Sequence, residues 1–201
     1  MNTRTLLRQY WVATRAMVVL TVVLGIGYTA VITGVGQLVA PTQANGSLVG
    51  VDGKTVGSAL IGQSFTDDEG RALPEWFQSR PSAAGDGYDA SASSGSNYGP
   101  ENADLITAIT ERRAAIAAEN NVNPASVPDD AVTASASGLD PHISPAYAQL
   151  QIERVAEVRD LPIGRVRELV ESAVQGRDAG YLGEETVNVL QLNIALAGLK
   201  G

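Results

Sequence analysis

From Ala16 to Val51 the chain carries no charged side chain, and that stretch constrains everything after it. Its apolar part, AMVVLTVVLGIGYTAVITGVGQLVA over Ala16–Ala40, exceeds the roughly 20 residues a helix needs to cross bilayer hydrocarbon. Arg4, Arg8 and Arg15 precede it, and no acidic residue does. Basic residues beside a span stay on the cytoplasmic face. The sequence therefore predicts a cytoplasmic N-terminus over 1–15, a transmembrane helix over 16–40 and an extracytoplasmic soluble domain over 41–201. The rival is a cleaved secretory signal, whose apolar region runs about 7–15 residues before a small-residue cleavage site. Pro41 to Asn45 could pass for such a site, but the apolar run is too long, so a retained anchor is expected.

Within the span, Gly27, Ala30, Gly34 and Gln37 fall on one face of an ideal helix, and Thr21, Gly25, Thr29 and Gly36 on the opposite one. Small residues let helices approach closely in lipid, so Gly25, Gly27, Ala30, Gly34, Gly36 and Gln37 are the expected packing positions. The bland alternative is that glycine is simply frequent in membrane helices.

All 22 acids but only 11 of the 14 basic residues follow the span, which puts −11 on the remaining 161 residues. An acidic domain argues against nucleic acid as a partner. It is compatible with attracting cations, and equally with solubility. With no cysteine in the sequence, disulfides, thiolate catalysis and cysteine-based zinc sites are excluded together.

The expected fold class is α+β: the transmembrane helix, then several helices with a small sheet of short strands. Val49–Phe65 alternates apolar runs with turns. Asp52-Gly53 is a hairpin signal, and Ser58–Gln63 reads as a strand. Gly53-Lys54-Thr55 imitates the end of a phosphate-binding loop, but Leu48 stands where the earlier glycine belongs. Pro74–Phe77 suggests a helical turn burying an aromatic pair. Residues 79–100 hold many Ser, Gly and Ala and too little apolar bulk for a core. They read as a surface loop, flexible by composition or else ordered for binding through Arg80, Asn97 and Tyr98. Pro100 and Asn102 open a helix to about Asn120, with Leu105, Ile106, Ile109 and Ile116 as its apolar stripe. Ala131–Ser135 reads as a strand. Residues 133–145 form a polar, proline-punctuated loop leading to Ser144 as N-cap with Pro145 at the first helical position. His142 is the sole histidine, with Asp140 beside it. No Gly-x-Ser-x-Gly elbow accompanies them. A helix over 144–160 and a second from Pro162 to Gly176 form an αα-hairpin. Gln151 and Arg154, three apart on the first, could reach a ligand or simply face solvent. Residues 187–199 read as a short strand leading into a terminal helix.

The motifs say more when taken in series. Gln43–Ser47, Ser58–Phe65, Arg80–Ala83, Gly95–Pro100, Ser135–Ser144, Gln151–Ala156, and Gly183 with Val187–Asn193 resemble, in order, the C-subunit family of the bacterial Kdp potassium-transporting ATPase. The resemblance covers nearly the whole chain, single span included. It departs at Tyr98, where the family usually has Leu, and at Ala136, where it usually has Gly. What the resemblance implies is a non-catalytic subunit of a high-affinity, ATP-driven potassium import complex in the bacterial cell membrane. Its partners would be a channel-like potassium-binding subunit, a P-type ATPase subunit and a small single-span subunit. ATP and potassium are used by the complex, and no cofactor is expected to bind this chain directly. The family is also described as a catalytic chaperone that raises the ATP affinity of the ATPase subunit, which the topology allows only through indirect coupling. The candidate subunit-interface or ligand residues are Arg80, Ser82, Ser96, Asn97, Ser137, Asp140, His142, Gln151, Arg154, Asn188 and Asn193. Two other readings remain at this point: a free-standing anchored ligand-binding domain with Gln151, Arg154, His142 and Asp140 around a pocket, and an anchored hydrolase using His142.

Overall fold

A computed structural model describes residues 3–199. Residues 1, 2, 200 and 201, at the outer ends of the expected cytoplasmic and extracytoplasmic segments, lie outside it. The chain divides into two units, one up to Leu48 and one from Val49 on. The first is a helix built from α1 (Thr3–Leu20), a π-helical stretch (Thr21–Tyr28) and α2 (Thr29–Val39). These run together over 37 residues as the one helix, among the described residues, long and apolar enough to cross a membrane. At about 1.5 Å per residue it measures roughly 55 Å, well over the ~30 Å of a hydrocarbon core. It begins upstream of Ala16 because no Gly or Pro between Thr3 and Ala16 breaks it, so Arg4, Arg8 and Arg15 sit on its first turns.

The π-helical stretch changes the expected helix faces. It contains Gly25 and Gly27, and its wider turns interrupt the regular angular step on which those faces were assigned. Beyond Val39 the chain turns through α3 (Pro41–Ala44). There the Asn45 amide donates to the Pro41 carbonyl at 2.7 Å and pairs reciprocally with Gln37, at 3.0 and 3.3 Å. Gln37 thus has an internal partner.

The second unit opens on a hairpin of β1 (Leu48–Val51) and β2 (Lys54–Ser58). Asp52 and Gly53 both take left-handed conformations (φ 50° and 76°), as a two-residue hairpin loop requires. The strand expected over Ser58–Gln63 ends at Ser58 instead. The Ser58 hydroxyl accepts the Leu60 N–H, folding the backbone into a turn, and the Gly62 N–H goes to the Leu139 carbonyl.

Helix α4 (Ala103–Glu119) starts where its cap predicts. The Asn102 carboxamide oxygen accepts the N–H groups of Asp104 and Leu105 at 2.8 and 3.2 Å. Ile106, assigned to the buried stripe, is 53% exposed. The predicted strand 131–135 is instead the helical turn α5 (Asp129–Val132), closed by the Thr133 hydroxyl on the Asp129 carbonyl. Its Ala131 and Val132 are buried among other helices rather than in a ladder. The helix expected over 144–160 divides into α6 (Pro145–Leu150) and α7 (Ile152–Val158) at Gln151. Ser144 caps α6 as expected, accepting the Tyr147 N–H. Asp160 (φ 52°) turns the chain into α8 (Ile163–Ala173), which packs antiparallel on α7 as the predicted αα-hairpin.

Three short antiparallel strands lie beside these helices in the order β3 (His142–Ile143), β5 (Thr186–Asn188), β4 (Val174–Gln175). His142 pairs with Asn188, Ile143 and Val174 with Val187, and Gln175 with Thr186. Asn188 then caps α9 (Val189–Ala197) through the Gln191 N–H, the strand-then-helix ending read from the sequence. The core is Ile152, Val155, Val166, Val170, Val187, Leu192 and Leu196, with Phe77 from the Pro74–Phe77 turn. Trp76 lies against Phe65, and Arg159 stacks 4.7 Å over the Trp76 ring. Leu192 is fully buried. Leu192→Ala should therefore cost about 2–5 kcal/mol, read from urea unfolding followed by Trp76 fluorescence in a Trp11→Phe background.

Candidate functional site

The two polar loops singled out in the sequence form one structure. Arg80 donates to Asp140 at 2.9 Å and to the Thr133 carbonyl at 3.3–3.4 Å. The Ser82 hydroxyl donates to the Gly138 carbonyl at 2.6 Å and accepts the N–H groups of Ala84 and Tyr88. Ser93 and the Ser94 N–H both reach the Ser137 carbonyl, and the Ser137 hydroxyl accepts the Leu139 N–H. Residues 79–95 are thus laced onto 133–140, and the flexible reading of that part fails. A composition of Ser, Gly and Ala cannot fill a core, but it can bring two backbones close. A Cβ on Gly138 (φ 67°) would lie 2.6 Å from the Ser94 carbonyl, and one on Gly95 2.8 Å from that of Ala136.

Tyr88, which the sequence reading passed over, locks the pair. Its hydroxyl donates to the Arg80 carbonyl at 2.8 Å and approaches that of Asp140 at 3.4 Å. Burial pushes its pKa up to about 12. A lone tyrosine among small residues was the available signal. Ser96 and Asn97 stand beyond the laced part. Both are exposed, Asn97 (φ 52°) donating to the Gly95 carbonyl at 3.0 Å, and Tyr98 beside them is 47% exposed.

His142 and Asp140 meet as their spacing suggests. Asp140 Oδ1 accepts the His142 backbone N–H at 3.0 Å and lies 3.3 Å from Nδ1, while Oδ2 holds Arg80. Burial works to raise the Asp140 pKa. The hydrogen bonds from His142 and the Arg80 charge outweigh it and hold the carboxyl below its ordinary 3.8. Among the described residues no serine hydroxyl is bonded to His142, and the nearby Ser144 hydroxyl is committed to Asp130 at 2.8 Å. The geometry is that of a loop clamp, not of an activated nucleophile.

Four other candidates face the interior. Gln151 is fully buried and Arg154 8% exposed, so neither the ligand-facing nor the solvent-facing placement holds. The pocket imagined around Gln151, Arg154, His142 and Asp140 is not assembled. Arg154 donates to the carbonyls of Pro74 and Trp76, to Asn120 Oδ1 and to Gln151 Oε1. Every one of these acceptors is neutral, and desolvation lowers the guanidinium's pKa. Gln151 also takes the Gln78 N–H at 2.7 Å and returns a bond to its carbonyl. Asn193 does the same for Phe77, at 2.9 Å each way. Asn188 donates to the Ala59 carbonyl at 2.9 Å, tying down the chain that follows the hairpin.

Two expectations follow. Arg154→Leu would strand buried carbonyl groups and should destabilise by about 3 kcal/mol or more; Arg154→Lys should restore little, because one ammonium cannot reach in three directions, and thermal unfolding of both tests this. A carboxylate with a depressed folded pKa contributes stability that is complete above its unfolded value and lost as pH falls through the folded one. The stability gap between wild type and Asp140→Asn should hold at neutral pH and close below the ordinary 3.8, as a pH series of urea midpoints would record.

Comparison with known proteins supplies the next step. Residues 10–198 match the family model for KdpC, the c chain of K+-transporting ATPase. The potassium-transporting ATPase KdpC subunit of Kineococcus radiotolerans is 52% identical over 191 residues, covering 95% of this chain and 94% of that one. The one from Mycobacterium tuberculosis H37Rv is 51% identical over 191 residues (94% and 97%), and that of Polaromonas naphthalenivorans 53% identical over 183 (90% of each).

Proposed function

The chain belongs to the KdpC family, the c chain of K+-transporting ATPase, and from that premise we propose that it is a non-catalytic subunit needed for assembly and activity of an ATP-driven potassium importer. The observation that carries this reading is the laced loop pair 79–95 and 133–140: a hydrogen-bonded surface whose Asp140 clamps the adjoining His142, the one histidine of the sequence. Rigid loops on a packed scaffold suit recognition, because little ordering entropy is lost on contact.

The proposed arrangement has the apolar helix crossing the bacterial cell membrane with its arginine-bearing end in the cytoplasm. The second unit then lies outside, and its loops cover the external mouth of a channel-like potassium-binding subunit. The other partners are a P-type ATPase subunit and a small single-span subunit, met along the helix. ATP stays on the cytoplasmic side, so an effect of this chain on the ATPase subunit's nucleotide affinity travels through packed membrane helices.

The sequence has no cysteine, which makes the topology directly measurable. A cysteine placed at the exposed Ser91 should react with a membrane-impermeant maleimide in intact cells; reaction only after lysis would invert the topology. For the interface, excising 79–100 as a whole would remove Tyr88 and the fully buried Ala84, so a point change is the cleaner test. Tyr98→Ala should weaken recovery of the complex and its potassium-stimulated ATP hydrolysis roughly tenfold or more at limiting subunit, the loss typical of an aromatic interface anchor, with unfolding unchanged. Wild-type recovery would remove this loop from the contact.

A further inference from the structure

The first unit carries three arginines and nothing of its own to neutralise them. No Asp or Glu occurs before Asp52, so Arg4, Arg8 and Arg15 have no carboxylate anywhere in the unit that ends at Leu48. All three are exposed. They lie on α1, which is regular α-helix throughout, so a step of about 100° per residue places them. Arg8 and Arg15 stand about 40° and 20° round the axis from Arg4. Trp11, 67% exposed, stands about 20° to the other side. Leu6, Tyr10 and Met17 fall on the opposite face. Charge that merely orients a span has to lie in the flanking segment, not on one face of it. A common face points to a partner.

Depth and shape limit what that partner is. Arg15 borders the uncharged run that begins at Ala16. Arg8 lies about 10 Å farther along the axis, at about 1.5 Å per residue. Polar headgroups fill roughly 5–8 Å on each side of the hydrocarbon. Helical side chains lean toward the N-terminus, so Arg15 reaches out of the hydrocarbon edge into that layer, and Arg8 stands at its outer limit. Beside the stripe runs a shallow groove of about 340 Å³, lined by Thr5, Arg8, Gln9, Val12, Ala13 and Ala16. The groove is graded along the axis. Its outer half is polar, with Thr5, Arg8 and Gln9, and its inner half is apolar, with Val12, Ala13 and Ala16 leading into the span. A phospholipid has the same polarity in the same order, phosphate outside and acyl chain inside. An acidic segment of a protein would match the arginines but not the apolar half of the groove.

We propose that this face of α1 binds an anionic phospholipid, its phosphate held by Arg8 and Arg15 and its acyl chain lying along Val12, Ala13 and Ala16. Guanidinium groups suit this task because they grip phosphate oxygens in pairs. Arg4, one turn beyond Arg8, adds attraction toward the anionic surface. The inference rests on the membrane crossing proposed above.

The test reconstitutes the full-length chain in phosphatidylcholine vesicles that contain a minor fraction of lipid dibrominated on its acyl chains, either phosphatidylglycerol or phosphatidylcholine. Trp11 is the reporter, isolated by subtracting the fluorescence of Trp11→Phe. Brominated phosphatidylglycerol should quench Trp11 with an association constant roughly fivefold above that of brominated phosphatidylcholine, the attraction of about one basic residue to an anionic surface. Arg8→Gln/Arg15→Gln should bring the two lipids within about twofold of each other. Equal quenching by both lipids in the wild type overturns the lipid site and leaves the membrane crossing standing. A preference that survives the double substitution overturns it too. In the purified complex, extraction should recover more phosphatidylglycerol per wild-type complex than per double variant. Equal recovery would assign the arginines to an acidic partner segment and overturn the proposal. A wild-type chain that fails to float with the vesicles overturns both the lipid site and the membrane crossing.

Discussion

One short piece of irregular chain, Pro74 to Gln78, is held by side chains reading its backbone, and the second unit depends on that grip. Asn193 from α9 bonds both the N–H and the carbonyl of Phe77, and Gln151 from the α6–α7 junction does so for Gln78. Arg154 collects the carbonyls of Pro74 and Trp76, and Arg159 that of Glu75. The carboxamides act as strand partners for a segment that has no strand beside it. Without them, burying the Phe77 ring would also bury unpaired peptide groups, at about 1–3 kcal/mol each. The phenylalanine belongs to the core only because two amides and a guanidinium satisfy the backbone that carries it. Burial lowers the pKa of Arg154; Tyr147, Glu119 and Glu75 offset this only in part, and its hydrogen bonds to Asn120, Pro74, Trp76 and Gln151 involve no carboxylate. A fork of neutral acceptors in several directions is a task for guanidinium geometry.

That grip explains which parts of the fold were legible. Features set by neighbouring residues were: the caps at Asn102 and Ser144, the Asp52-Gly53 hairpin, the αα-hairpin and the strand-then-helix ending. Features set by distant residues were not. Ala131–Ser135 has strand composition, but Asp129 and Thr133 close a helical turn there, and Asp130 is drawn to Ser144 fourteen positions on. Ser58–Gln63 has strand composition too, yet its backbone is claimed by Leu139. The π-helical widening at 21–28 cannot be read from periodicity that assumes a constant turn. Gln151 and Arg154 looked like surface groups because polar residues on helices usually are, and only the incoming 74–78 segment makes them interior.

For the candidate site the division is similar. The residues of the loop pair stood out as Arg80, Ser82, Ser137, Asp140 and His142, but nothing local said that a segment near 80 would be laced to one near 138. Tyr88 was missed for a compositional reason. It lies in a stretch whose composition looks uninformative. Long-range lacing of this kind is what a serine- and glycine-rich segment can do when it is not a linker. Hydroxyls replace the hydrogen bonds of a sheet ladder, and missing side chains let the backbones approach.

The charge distribution bears on how such a surface could work at the mouth of a potassium path. The sequence beyond the helix carries −11, and within the loop pair Arg80 neutralises Asp140, with His142 on its other oxygen, while the exposed Asp86 and Asp89 leave the pair net acidic. Free carboxylates at a docking face would attract the transported cation and be costly to desolvate against a partner. Pairing Asp140 internally removes both problems at the clamp, while Asp86, Asp89 and the outlying acids contribute a diffuse field, screened over about 8 Å at physiological salt. Under the proposed docking the Arg80–Asp140–His142 clamp therefore supplies shape rather than an ion-binding site, and selectivity stays with the partner.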